Sequence, residues 1–253
     1  MNSLSLIWFY GKHMIALYLT ALVGLTFFWD SSYLAYTLIG YVLFGMVGVE
    51  MGLHRYYAHK SFTVNKIMNR IIYICSIYAA SGDPIYYAGL HRTHHAKADT
   101  DQDPHRPHEQ PFLSWFHCND RSGSEINWKV VSDLTDKEDL LFLAHHWFKI
   151  YWGSIVVAFL INPKFALFFF VLPGIIVLAL SGLLNTVNHL YGYRNFDTKD
   201  TSTNNTLISI FTFGGGLHNN HHARPSRYTN KVKPWEFDIA GWCIKRVATT
   251  IKE

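Results

Sequence analysis

The chain has 253 residues, 49% hydrophobic and only 16% charged, with 22 Lys and Arg, 18 Asp and Glu, and 15 histidines. Charged residues normally supply about a quarter of a soluble domain, so this composition excludes a disordered or low-complexity chain and sets part of the apolar surface against lipid. A mean hydropathy of +0.06 is too low for a chain that is all membrane span, and a net charge of +4 without long basic runs argues against a nucleic-acid partner.

Four apolar runs set the organisation. Met14 to Trp29 and Tyr33 to Val49 are separated only by Asp30, Ser31 and Ser32; Trp147 to Ile161 and Phe165 to Leu184 are separated only by Asn162, Pro163 and Lys164. Each pair predicts a helical hairpin. A hydrocarbon core about 30 Å thick needs roughly 20 helical residues, so the shorter runs must recruit flanking residues. The competing reading is two buried core hairpins of a soluble protein. With both hairpins inserted, Lys164 is the only basic residue in their turns and the remaining Lys and Arg lie on the other side. The positive-inside rule then places both termini and the polar regions 50–146 and 185–253 in the cytoplasm. No small-x-small cleavage site follows the first run, which reads as a retained anchor. Ile67 to Ala80 is short and carries Asn69 and Arg70, as an interfacial or cap-buried helix would. Pro234 to Ala248 reads as an amphipathic helix. No repeat or linker interrupts the chain, so residues 1–253 form one domain. Cys75, Cys118 and Cys243 suggest neither a disulfide framework nor a zinc ribbon.

The histidines are clustered: His54 and His59 in HRYYAH, His91, His94 and His95 in HRTHH, His218, His221 and His222 in HNNHH. On a helix, spacings of three and four bring His91, His94 and His95 to a common side, and the same holds for His218, His221 and His222. His54 and His59 are about 140° apart on an ideal helix and converge only at a helix end or break. Asn185 and His189 lie four apart at the end of the fourth apolar run, facing from the membrane toward the polar cap. Eight or nine imidazoles exceed what one ion takes, which points to a dinuclear centre. Structural zinc favours thiolates, whereas imidazole suits iron, and two irons can activate dioxygen to attack an unactivated C–H bond.

The order HRYYAH, GLHRTHHAKADTDQDPH, NTVNHLYG, GGGLHNNHHARPSRY and PWEFDIAGW, from about Leu53 to Trp242, resembles the membrane fatty-acid desaturases of the stearoyl (delta-9) type. The resemblance implies an all-α integral membrane fold, four transmembrane helices under a cytosolic helical cap. It further implies a site of two iron ions with nine histidine ligands, His54, His59, His91, His94, His95, His189, His218, His221 and His222, and Asn185 reaching an iron through water. The implied reaction uses dioxygen and two external electrons to place a cis double bond, at the ninth carbon, in a long-chain acyl substrate held in a bent tunnel. No side-chain general base is expected.

Animal acyl-CoA enzymes carry Arg-Asp before the second histidine box, where this chain has Gly89 and Leu90, closer to acyl-lipid desaturases of cyanobacterial type. Without a fused cytochrome domain, electrons are expected from a separate ferredoxin or small cytochrome. The alternatives are a membrane hydroxylase or ketolase built on the same iron chemistry, and a metal transporter or sensor. His13, His105, His108, His117, His145 and His146 fall outside the boxes, and His13 is expected at the membrane interface. Asp99, Asp101 and Asp103 alternate as in a calcium loop, but Pro104 stands where glycine is required, so a loop capping the second box is the better account. Gly214 to Gly216 should permit a sharp turn or a close backbone approach. Arg55, Arg92, Arg224, Arg227, Lys231 and Lys233 are either ordinary cytoplasmic-side charge in contact with membrane lipid or a dock for an acidic electron carrier or acyl head group.

Overall fold

In the computed structural model, which describes residues 3–105, 108, 111 and 128–253, the order is α1 (Ser3–Phe28), α2 (Ser31–Ala58), β1 (Phe62–Val64), α3 (Lys66–Ile77), α4 (Pro84–Lys97), α5 (Ser132–Thr135), α6 (Glu138–Ile161), α7 (Pro163–Leu190), α8 (Thr206–Phe211), α9 (His218–Ala223), α10 (Ile239–Val247) and β2 (Ala248–Ile251). His117 and Cys118 lie outside the described residues.

Both hairpins turn on a polar side chain that caps the returning helix. Asp30 accepts from Ser32 N at 3.0 Å and Ser32 Oγ at 2.7 Å, starting α2. Asn162 accepts from Phe165 N at 3.1 Å, and Pro163 takes the first position of α7, where a missing N–H leaves no bond unmade. The turns meet: Lys164 Nζ donates to Asp30 Oδ2 at 2.6 Å and Asn162 Nδ2 to Tyr33 OH at 3.0 Å. The histidine-bearing ends of α2 and α7 are therefore at the opposite end of the bundle.

Among the described residues, α2, α6 and α7 are long and apolar enough to cross a membrane, and the apolar part of α1, His13–Phe28, is shorter. Phe27, Leu38, Val157, Leu160 and Ile161 are exposed on the helix faces, an apolar surface unsuited to hairpins buried in a soluble core. Between the helices, Leu17, Leu143, Trp147, Tyr151 and Phe168 form one buried core. Met51, Ile72, Ile85, Leu134, Leu140 and Ile244 form a second, where the histidine end of α2 meets α3, α4, α5, α6 and α10. α2 and α7 run past their apolar segments, from Val49 on to Ala58 and from Leu184 on to Leu190. They carry His54 and His189 out of the apolar zone.

Two expectations are corrected. His13 is buried: its Nε2 meets Ala80 O at 3.1 Å and Trp152 Nε1 donates to its Nδ1 at 3.1 Å, so it ties α1 to α6. The fold is also not wholly helical. β1 and β2 pair antiparallel, joined across the strands by Thr63, Thr249 and Thr250 hydroxyls, so the C-terminal strand lies beside the segment that follows the first histidine box. α3 behaves as expected of an amphipathic helix, with Ile72, Cys75 and Ile77 buried and Ile67, Ile71 and Ile74 exposed.

α3 packs against α2 at Gly48, where a Cβ would stand 2.5 Å from Cys75 O, a backbone atom that cannot swing away. Gly48→Ala is expected to destabilise the protein by about 1–3 kcal/mol through this overpacking. Thermal unfolding in detergent checks this, and an unchanged midpoint would show that α3 can shift freely.

Candidate metal centre

Each histidine box is placed by a local device. From Val42 to Ala58, α2 is π-helical, with i to i+5 bonding that continues into His59 N to His54 O at 3.0 Å. That wider turn brings residues five apart to one side, so the His54 and His59 rings lie 5.1 Å apart. Convergence thus comes from a widened helix and its end, without a break in the chain. Asp83 caps α4, accepting from Ile85 N at 2.9 Å and Tyr86 N at 3.0 Å, with Pro84 in the first turn. This launches the helix that carries His91, His94 and His95. Before α9 the chain turns at Gly214, whose φ of +116° is rarely open to other residues. A Cβ on Gly216 would stand 2.2 Å from Ser209 N. Both the sharp turn and the close approach expected here are present.

The boxes converge into two groups. The ligand atoms of His54, His59, His91 and His221 lie within 4.8 Å of one another, as do those of His94, His189, His218 and His222. In the first group the Nε2 to Nε2 separations are 2.9 Å for His54–His221, 2.8 Å for His59–His91 and 3.4 Å for His91–His221. His95 joins it, its Nε2 3.1 Å from that of His91 and 2.8 Å from that of His221. Its ring also lies 4.4 Å from that of His222, so it bridges the groups. In the second group the separations are 3.1 Å for His189–His218, 3.1 Å for His218–His222 and 3.3 Å for His94–His222. One proton can serve only one such pair, whereas ligands bonded at about 2.1 Å to a common ion stand roughly 3 Å apart. Nitrogen lone pairs meeting on several sides suit a cation.

The outer nitrogens explain why the lone pairs face inward. The Nδ1–H of His54 donates to Glu50 at 3.2 Å, of His94 to Asp103 at 2.9 Å, of His189 to Asp99 at 3.0 Å and of His222 to Asp200 at 3.1 Å. Each carboxylate fixes the tautomer and the ring plane. Sequence reading missed these four acids. Three left a signal: Glu50 stands one helical turn before His54, and Asp99 and Asp103 belong to the loop expected to cap the second box. Asp200 left none, because it is 22 residues from its partner.

Burial first, and then mutual repulsion, hold His59, His91, His95, His218, His221 and His222 well below the ordinary imidazole range, so they are neutral at pH 7. Burial alone would raise Asp99, but the His189 hydrogen bond and the Thr201 N–H and hydroxyl outweigh it and bring it down to about 2. Asp103 is lowered against the same burial by His94 and His105.

All nine expected histidines thus stand in the two groups. Asn185 lies one turn before His189 on α7, partly buried. Among the other histidines, His105 packs 4.9 Å from the His94 ring, His108 bonds Thr201, and His145 and His146 sit on α6; none joins a group. Two arginines considered for docking serve the fold instead. Arg55 is buried, with its guanidinium bonded to both oxygens of Asp238 at 3.0 and 3.1 Å and to Tyr228 O. Arg92 holds Asp133 and the carbonyls of Tyr57, Ala58 and Val130.

Two all-imidazole clusters, built in part from the ends of membrane-length helices, are of the class that suits a metal site in a membrane-associated protein. Residues 31–237 match the fatty acid desaturase family, and the chain belongs to that family of oxidoreductases. It is 28% identical over 248 residues to the sn-1 stearoyl-lipid 9-desaturase of Anabaena variabilis, covering 96% of this chain and 89% of that one. It is 32% identical to the delta-9 acyl-lipid desaturase 2 of Arabidopsis thaliana, over 87% of this chain and 73% of that one. To the acyl-CoA 5-desaturase AL21 of Anemone leveillei it is 31% identical, over 87% and 70%.

Because His59, His91, His95, His218, His221 and His222 hold fewer protons folded than unfolded, the metal-free protein is expected to lose stability as the pH falls below about 6.5, where the unfolded chain takes protons up. Melting of chelator-stripped protein between pH 8 and 5 measures this. A flat profile would show that the imidazoles are not held neutral.

Proposed function

We propose that the chain is a di-iron, dioxygen-dependent desaturase that introduces a cis double bond, at the delta-9 position, into a saturated long-chain acyl group in lipid or thioester form. The observation that carries this reading is the pair of histidine groups with lone pairs turned inward. His54, His59, His91, His95 and His221 would hold one iron, and His94, His189, His218 and His222 the other, with Asn185 reaching the second through water. Bound there, the irons supply dioxygen activation, the chemistry that removal of hydrogen from unactivated methylenes requires. The protein contributes neutral imidazoles, carboxylates that hold the outer protons, and a buried setting that keeps bulk water away. The names of the cyanobacterial and plant relatives support the ninth carbon and a lipid-borne chain; the Anemone relative, named for the fifth carbon and an acyl-CoA, marks what can vary within the family.

In this reading α1 joins α2, α6 and α7 as the fourth span. The cap and both termini face the cytoplasm, and a ferredoxin or small cytochrome delivers electrons there. Placing the histidines at helix ends rather than mid-span disfavours a metal-transit path.

Iron-loaded protein given a deuterated saturated acyl substrate, reductant and dioxygen should yield an alkene without oxygen incorporation; an alcohol carrying oxygen from dioxygen would make the protein a hydroxylase. Chelation should abolish turnover and ferrous iron restore it. His189→Ala should lose iron and activity while still inserting, and full activity with two irons retained would remove His189 from the ligand set.

A further inference from the structure

The two histidine groups sit in unequal fields. Three of the four carboxylates that clasp an outer nitrogen serve the second group: Asp103 on His94, Asp99 on His189 and Asp200 on His222. Each of these acids is itself locked. Asp99 accepts from Thr201 N at 2.6 Å and Thr201 Oγ1 at 2.9 Å, Asp103 from Asp99 N at 2.8 Å and His105 N at 2.9 Å, and Asp200 from Ser202 N at 3.0 Å. Asp99 holds its place with φ at +61°, a conformation its surroundings impose. Among the described residues no Lys or Arg is ion-paired to any of the three carboxylates.

The first group has one such acid, Glu50 on His54, and Arg55 Nη2 lies 3.5 Å from it. Beside His59, the guanidinium of Arg92 bonds Ala58 O at 2.8 Å. The first group therefore has one clasping acid with a guanidinium against its carboxylate, and the second has three, near which Arg194 reaches only the backbone O of Asp200 at 2.8 Å and His108 lies 3.3 Å from Asp99. His95 gives the first group a fifth imidazole, but a neutral ligand adds no charge. Against that advantage stand two further carboxylates, each worth about 10- to 100-fold in metal affinity.

The geometry points to two inequivalent sites, in which Asp99, Asp103 and Asp200 are positioning residues that make the His94, His189, His218 and His222 site the tight one, filled first and emptied last. Glu50 supports the weaker site alone. This rests on the two-iron reading above.

The test is removal of iron from the purified, iron-loaded protein at graded chelator concentrations, with iron per chain as the readout. Two steps of one iron each are expected, with midpoints separated by about tenfold or more. His59→Ala should erase the weak step and leave the resistant one; His218→Ala should do the reverse. Asp99→Asn, Asp103→Asn and Asp200→Asn should each move the resistant midpoint about 10- to 100-fold toward the weak one, and Glu50→Gln should move the weak midpoint alone. The weak step, read in the same sample, reports whether each variant has kept its fold. A single step in the unaltered protein, a resistant step that survives His218→Ala but not His59→Ala, or Asn variants that leave the resistant midpoint in place or lose both steps in all three cases would each overturn the inference. Fewer than two irons at saturation, or another metal in their place, would instead sink the two-iron reading.

Discussion

Nine imidazoles stacked edge to face, many with ring centres 4.3 to 5.3 Å apart, can share so small a volume only while they are uncharged. A proton on each would build a buried cluster of like charge that the four neighbouring carboxylates are too few to offset. The rest of the histidine-bearing end follows from that constraint. Burial favours the neutral form of His59, His91, His94, His95, His218, His221 and His222, four carboxylates accept the outer N–H bonds, and the inward lone pairs are left to a cation.

Keeping the rings in place requires stiffness across distant segments, and Arg55 supplies much of it. It sits one residue after His54 and clamps Asp238, whose carboxylate also accepts from Thr229 Oγ1, Asn230 N and Gly241 N. The end of α2 is thereby fixed to the segment that follows the third box. A buried ion pair of this kind adds little net stability beyond an apolar replacement. Its many fixed partners instead favour one register of α2 against the cap. Gly215 lets the third-box turn lie against the same network, since a Cβ there would reach within 2.4 Å of Glu50 Oε1.

The hairpins, the nine histidines and the sharp turn at Gly214 were legible because each is written in spacing or composition that local physics reads directly. Other features depend on what tertiary packing does to a local pattern. Hydropathy stops at Val49 and Leu184, but backbone hydrogen bonding does not, so the helices end later than their apolar runs. An ideal α-helix separates His54 from His59, and only the wider turn of α2 unites them. Asp200 and His222 meet through chain folding, which no local window can see. Strands of three and four residues are too short to show an alternating pattern, and His13 resembles any interfacial histidine until Trp152 and Ala80 O are placed around it.

Under the proposed four-span topology, the contact between Asp30 and Lys164 has a bearing on how the chain would enter a bilayer. Each residue alone would burden its hairpin with a charge to be carried across the hydrocarbon. Held 2.6 Å apart, they present the far side with a neutral dipole. In the topology proposed above, a membrane potential would find almost nothing to pull on at that end, and the direction in which the bundle settles would fall to the arginines and lysines gathered at the histidine end.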